Sequence, residues 1–345
     1  MRRALALAVV LLAAGCTVGG PAQPTPATGS TPGTTTPEHT PTASTPVVTT
    51  PRALPDPAFD GERALDHVRA QVTGADGGPR YRIPGTEGNA EVARYVDAEM
   101  AALGFAVTWH HFNASYGCRE VAMHNVVAER AGTSGRTILL AAHYDTRPVA
   151  DKDPDVGKRG QPVLGANDAG SGVGVLLELA RVLPPTEDAV RFLFFDGEDG
   201  GGYLAPCRTD WILGSRAYAE QMSAQDIAAV RALLLVDMVG DPQLLLPKEG
   251  YSASGPGAHV QDALYSIADQ LGHEQFVDEE SYSITDDHVP FIERMIPAVD
   301  LIHIIPGDPK VFPSWHHTTF DDLDHVSASS LDAVGETIEA WLATL

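Results

Sequence analysis

Short apolar runs that each close on ionisable side chains constrain this chain more than any other feature of its sequence. TILLAA (137–142) leads into His143 and Asp145, VRFLFFD (190–196) into Glu198 and Asp199, and ALLLVDM (232–238) contains Asp237. A last run, AVDLIHII (298–305), is followed by His316 and His317. Runs of this length, nearly uniformly apolar, read as strands buried on both faces. Segments of helical apolar spacing lie around them at 89–103, 172–183, 215–222, 258–271 and 327–345, the first stopped by Gly104. Shorter apolar runs occupy 106–112 and 125–129. Strands alternating with helices imply a three-layer α/β domain, in which a central, largely parallel mixed sheet is covered by helices on both faces. No internal repeat is visible.

Open α/β sheets bind ligands beyond the carboxyl ends of their strands. That is where this sequence concentrates its acidic residues and histidines. Each taken alone has an ordinary structural explanation. A single histidine after a strand, such as His143, is usually structural. Asp168, in the glycine-rich GANDAGSGVG (165–174), fits a helix cap. Adjacent carboxylates such as Glu198 and Asp199 are usually solvated, although the apolar run before them argues against it here. Asp237 lies within an apolar strand, where a carboxylate needs a partner or a metal. Together these residues make a carboxylate–imidazole set at one edge of the sheet, where a metal ion could be held.

Other chemistries fit less well. Gly170, Gly172 and Gly174 precede a helix, but Val175 stands where a dinucleotide fingerprint needs its last glycine. The zinc-protease motif HExxH and the serine-hydrolase motif GxSxG are absent. A net charge of −23 and a pI near 4.7 oppose nucleic acid or an anionic membrane surface as partner. His67, His110, His111, His259, His273 and His325 show no ligand spacing and are expected at the surface or in packing.

From RIPGTEGNAE near Arg82 to the C-terminus, the order Asp168, Glu198–Asp199, Asp237, His317 resembles the zinc exopeptidase family M28. That family includes bacterial aminopeptidases and animal-type glutaminyl cyclases. The resemblance implies a main zinc site of Asp168, Asp199 and His317, with Glu198 as general acid/base. In its two-metal aminopeptidases a second zinc would use His143, Asp237 and the bridging Asp168. The sequence departs from the family in two places. Asp199 stands where glutamate is usual, shorter by one methylene or about 1.5 Å. His316 and His317 compete for one ligand position. His317, Thr318, Asp321 and Asp324 keep the family spacing, which leaves His316 to line the pocket.

Features outside the ligands lean towards the cyclase branch. FFDGED followed by LGSRAYAE, TDDHVPF (285–291) and HIIP (303–306) resemble cyclase segments. They imply Asp286 as a catalytic aspartate, and Phe312, Trp315, His316 and His303 as substrate-binding residues. The implied reaction is zinc-dependent conversion of the N-terminal glutamine of a peptide to pyroglutamate, with release of ammonia and one zinc per site. A two-zinc aminopeptidase and a non-catalytic tethered binding lipoprotein are the alternatives.

The first residues are organised differently. MRRALALAVVLLAAGCTVGG reads as an export signal, too short for a stable membrane span. It resembles a bacterial lipoprotein signal, which implies lipidation of Cys16. The expected division is a signal at 1–16, a disordered Thr/Pro-rich linker at 17–55 and a catalytic domain at 56–345. An extracytoplasmic monomer is expected, acting on peptide N-termini and held to the membrane only through its lipid. With Cys16 so assigned, Cys118 and Cys207 form an even pair in an oxidising compartment. A disulfide between them is expected, two buried thiols being the alternative.

Overall fold

Inner strands that are apolar on both faces need cover on both sides, and this fixes the layers of the molecule. The computed structural model describes residues 54–202, 207–307 and 311–345. The signal, Cys16 and the linker up to residue 53 lie outside the described residues. In chain order the described elements begin with α1 (Gly61–Val72), α2 (Glu87–Ala102), β1 (Ala106–Tyr116), β2 (Arg119–Arg130) and β3 (Thr137–His143). Then come α3 (Gly170–Val182), β4 (Ala189–Phe195), α4 (Leu213–Gln221), α5 (Ala224–Ala229) and β5 (Val230–Asp237). The chain closes with β6 (Leu246–Lys248), α6 (Gly250–Ser254), α7 (Ala258–Leu271), β7 (Phe276–Glu280), α8 (Val289–Ile292), β8 (Ala298–Ile302) and α9 (Ala328–Leu342). None of the described helices is long and apolar enough to cross a membrane.

The main sheet runs β1-β2-β4-β3-β5-β8. Strands β4, β3, β5 and β8 are mutually parallel, with β8 at one edge, and the β1–β2 hairpin extends the sheet antiparallel at the other. Ile138, Leu140, Phe192, Phe194, Leu234 and Val236 face the side covered by α1, α2, α3, α7 and α9. The alternate residues Leu139, Ala141, Leu193, Leu233 and Leu235 face the opposite side, under α4 and α8. Burial of such a side chain is worth roughly 1.5–3 kcal/mol. The three-layer, mixed but centrally parallel architecture is the one the sequence implies.

One close approach carries the fold towards the site. A Cβ on Gly172 would come within 2.0 Å of the Val236 carbonyl oxygen. Glycine there lets the first turn of α3 rest on the end of β5, which brings Asp168 beside Asp237.

The differences from the sequence reading have physical causes. The runs at 106–112 and 125–129 are parts of a much longer hairpin, because β1 alternates between exposed and half-buried residues and so looks only partly apolar. Helix α1 is not among the helices expected from the sequence, although Asp60 caps it and Ala64, Leu65, Val68 and Val72 form its buried stripe. The β6–β7 pair is too short and too polar to stand out. The last strand stops at Ile302 rather than Ile305, since the chain leaves the sheet at His303. Cys118, in the hairpin turn, is joined to Cys207 by a disulfide.

Candidate active site

The strand ends deliver their polar residues to one place. His143 closes β3, Asp237 closes β5, and Glu198 and Asp199 sit in the turn after β4. His143 Nε2 lies 3.1 Å from Asp168 Oδ1, 3.5 Å from Asp237 Oδ1 and 4.0 Å from Glu198 Oε2. His317 Nε2 lies 3.0 Å from Asp199 Oδ1 and 3.7 Å from Asp168 Oδ2. The shorter Asp199 therefore does reach the imidazole. His317 itself has φ 58°, a left-handed backbone that is uncommon outside glycine and turns the ring inward.

Two further carboxylates hold this arrangement from behind. Asp145 accepts the backbone N–H groups of Glu198 (3.0 Å) and Asp199 (3.2 Å), and its Oδ1 lies 3.4 Å from His143 Nδ1. Asp321 accepts the N–H groups of Asn167 (2.8 Å) and Asp168 (3.2 Å). Arg147 is buried and donates to the Asp199 carbonyl at 3.1 Å and to its Oδ1 at 3.4 Å. Such outer partners set the aim of ligating groups.

The residues fit a cation. Asp199 Oδ2, Asp237 Oδ1 and His143 Nε2 are buried without a hydrogen-bond partner. Buried polar atoms are rarely left so, and an ion accounts for them. His143, Asp168 and Asp237 each offer a ligand atom within 4.8 Å of the others, as do Asp168, His316 and His317. Burial raises the Asp199 and Glu198 carboxyls well above their usual range, and takes Asp237 to about 6. Asp168 goes the other way, because His143 beside it outweighs its burial. Burial holds His316 and His317 well below the usual imidazole value, so both stay neutral. A divalent ion favours ionised carboxylates and neutral imidazoles, which is the donor set zinc takes.

The two histidines differ in what they can offer. Lys152 Nζ stands 3.0 Å from His316 Nδ1. An ammonium only donates, so that nitrogen accepts and His316 carries its proton on Nε2. An Nε2–H has no lone pair for a metal. His317 has no such neighbour at Nε2, where Asp199 and Asp168 gather.

A cavity of about 320 Å³ opens on this centre, lined by Asp168, Glu198, Asp237, Asp286, His316 and His317 among others. Asp286 is buried, accepts the Asp287 N–H at 2.6 Å, and is pushed to about 7 by burial and then by Asp237. Phe312 and His316 line the cavity as the sequence implies. Trp315 and His303 do not. Trp315 packs on Met238, Ile302 and Ile304, and its indole N–H donates to Asp241 Oδ2 at 2.5 Å. His303 turns the same way, 3.8 Å from Asp241, and both border a separate cavity of about 830 Å³. The aromatic wall comes instead from Trp211, stacked on His317 at 5.9 Å with Arg147 4.9 Å from its ring. Gly201 makes room for that indole, since a Cβ there would lie 2.0 Å from it. Trp211, Lys152 and Arg147 escaped the sequence reading. Trp211 follows Cys207 closely, and that proximity to the disulfide was the one available signal.

This fold, with carboxylates and imidazoles gathered at the ends of its parallel strands, defines a zinc-exopeptidase-type domain. The model of Peptidase family M28 matches residues 125–342, and the chain belongs to that family. The solved glutaminyl cyclase of Porphyromonas gingivalis is 32% identical, with a TM-score of 0.75 over 83% of this chain and 98% of that one. A Zn-dependent exopeptidase from Parabacteroides distasonis is 30% identical, with a TM-score of 0.77 over 84% and 99%. Aminopeptidase YwaD of Bacillus subtilis is 30% identical over 59% of this chain but only 40% of its own length.

Proposed function

We propose that this protein is a zinc-dependent glutaminyl-peptide cyclotransferase that converts an N-terminal glutamine to pyroglutamate. The observation that carries this reading is the grouping of Glu198, Asp237 and Asp286, all with raised carboxyl pKa, around one small cavity beside the candidate ligands. Cyclisation must take a proton from the α-amine and deliver one to a departing ammonia. Carboxyls shifted upward by burial, Asp237 to about 6 and Asp286 to about 7, suit that demand. The similarity to a solved glutaminyl cyclase over almost its whole length supports the same reading.

Asp168, Asp199 and His317 would hold the metal, with His316 kept out by its proton on Nε2. Zinc held there would supply Lewis-acid polarisation of the glutamine γ-carbonyl. Glu198 takes the proton of the α-amine as its nitrogen bonds to the γ-carbonyl carbon. The bond from that carbon to the amide nitrogen then breaks, and Glu198 returns the proton to the leaving ammonia. Asp286 and Asp237 hold the amide nitrogen by hydrogen bonds as it departs. Trp211 and Phe312 close the cavity against water, which the reaction does not consume.

The convergence of His143, Asp168 and Asp237 favours a second reading, a two-zinc aminopeptidase using the same Glu198. Incubating the zinc-loaded protein with a Gln-initiated and a Leu-initiated peptide separates them. Ammonia and pyroglutamate from the first are expected; free leucine from the second would establish the hydrolase instead, and metal analysis gives the zinc count. Export and lipid attachment at Cys16 complete the proposal, supported by the signal-like N-terminus and by the Cys118–Cys207 disulfide, a bond typical of oxidising compartments. Cys16→Ser should release the protein from membranes, and unchanged retention would reject the anchor.

A further inference from the structure

The cavity contains a charge that the proposed reaction does not use. Glu198, Asp237 and Asp286 form one cluster on its lining, and Lys152 is the one lysine or arginine among the described residues there. The Lys152 backbone N–H donates to the His317 carbonyl at 3.2 Å, which ties the base of this side chain to the turn bearing the candidate ligand. From that base Nζ reaches His316 Nδ1 at 3.0 Å and stands 5.6 Å from the centre of the Phe312 ring. An ammonium has three N–H donors, and His316 takes one of them. The residue is exposed, so its other donors meet whatever enters the cavity mouth. In a chain of net charge −23, a cation at this mouth is a local exception that an anionic group can seek out.

We infer that Lys152 is a specificity-determining residue that reads a carboxylate one residue beyond the reacting terminus. A substrate whose α-amine meets Glu198 and whose side-chain amide meets Asp286 and Asp237 leaves its next residue to meet the remaining charged group on the lining, Lys152. A carboxylate at that distance has two sources, an acidic side chain at the second position or the free C-terminus of a dipeptide. The inference rests on the proposed action at peptide N-termini, but not on which bond is broken there.

The test compares the zinc-loaded wild type with Lys152→Met and Lys152→Glu. The substrates are Gln-Glu-Ala-amide against Gln-Lys-Ala-amide, and Gln-Ala against Gln-Ala-amide, with the same set begun by leucine. Ratios between peptides within one variant cancel any general loss of activity or folding. In the wild type, kcat/KM should favour the carboxylate by about five- to tenfold at low salt, mostly through KM, and the preference should shrink as salt is added. Lys152→Met should flatten it and Lys152→Glu reverse it. A preference confined to the dipeptide pair assigns the terminal carboxylate as the group read. The same preference in all three proteins, or none in the wild type, overturns the inference. Turnover of the leucine set alone defeats the cyclase reading, and the Lys152 ratios are then taken from that set. Should neither set turn over, calorimetric Kd values for the same peptides supply the ratios.

Discussion

Two buried acidic centres meet around Asp286, and they differ in how the fold treats their carboxylates. On one side, Glu249 Oε1 accepts the N–H groups of Tyr251 (2.8 Å) and Ile284 (2.9 Å). Its Oε2 accepts the Ser252 N–H and hydroxyl, both at 2.7 Å, with His288 Nε2 at 3.2 Å. On the other side, Asp199 Oδ2 and Asp237 Oδ1 accept nothing. Burial pushes all of these carboxyls upward. At Glu249 the neighbouring His288 and the donors win, and the pKa falls to about 2; at Asp237 burial wins, and it rises to about 6. A carboxylate saturated by its own chain is scaffolding, whereas one left open awaits a group that the chain does not supply. Asp287 and Asp300 mark the limit of this rule. Their oxygens also lack partners and burial raises both carboxyls as it raises Asp199, so openness alone does not mark a ligand. Asp199 is set apart by His317 Nε2 at 3.0 Å, which also faces Asp168.

The largest expected effect tests the open side. Asp199→Asn should lower turnover on the order of a thousandfold and zinc affinity on the order of a hundredfold or more. The metal-free variant should nonetheless be no less stable than metal-free wild type. Asp199 has a raised pKa in the folded protein, so its charged form opposes folding at neutral pH and the amide removes that cost. Zinc titration by calorimetry and urea unfolding of the metal-free proteins measure the two quantities. A clear loss of metal-free stability with zinc affinity intact would reverse the comparison.

The saturated side should respond in the opposite sense. The folded Glu249 pKa, about 2, lies below its ordinary 4.5. Its stabilisation is therefore complete above about pH 4.5 and disappears as pH falls towards 2. A shift of that size corresponds to roughly 3 kcal/mol. Glu249→Gln should thus cost about that much at pH 7 and much less near pH 3, while zinc affinity stays within about twofold. Urea unfolding at the two pH values decides it. A gap that is equal at both would mean that the carboxylate charge at Glu249 contributes nothing.

Sequence made the open carboxylates visible because they interrupt apolar runs. Asp237 is conspicuous in ALLLVDM, and the Glu198–Asp199 pair after VRFLFFD. The parallel centre of the sheet was visible for the same reason. Saturated groups leave no such trace. Glu249 lies in an ordinary polar stretch, and only the folded chain brings it the Ile284 N–H and His288. Lys152, Arg147 and Trp211 belong to irregular segments, where no periodicity says which side chain turns inward. Trp315 shows the converse error. The cyclase resemblance implies Trp315 as a pocket residue beside His316, but neighbouring residues in this turn border different cavities.

That correction yields the smallest expected effect. Trp211 stacks on His317 and under Arg147, so Trp211→Ala should raise KM for a Gln-initiated peptide by roughly tenfold through lost apolar contact. Trp315→Phe keeps an aromatic ring against Met238 and Ile302 and removes the N–H donated to Asp241 with the part of the indole that carries it. It should cost about 1 kcal/mol of stability and leave KM within about twofold. The contrast separates a wall of the catalytic cavity from a partition behind it. If Trp315→Phe moved KM further than Trp211→Ala, the substrate would be touching the far side of that partition, and the 830 Å³ cavity beyond it would belong to the peptide path.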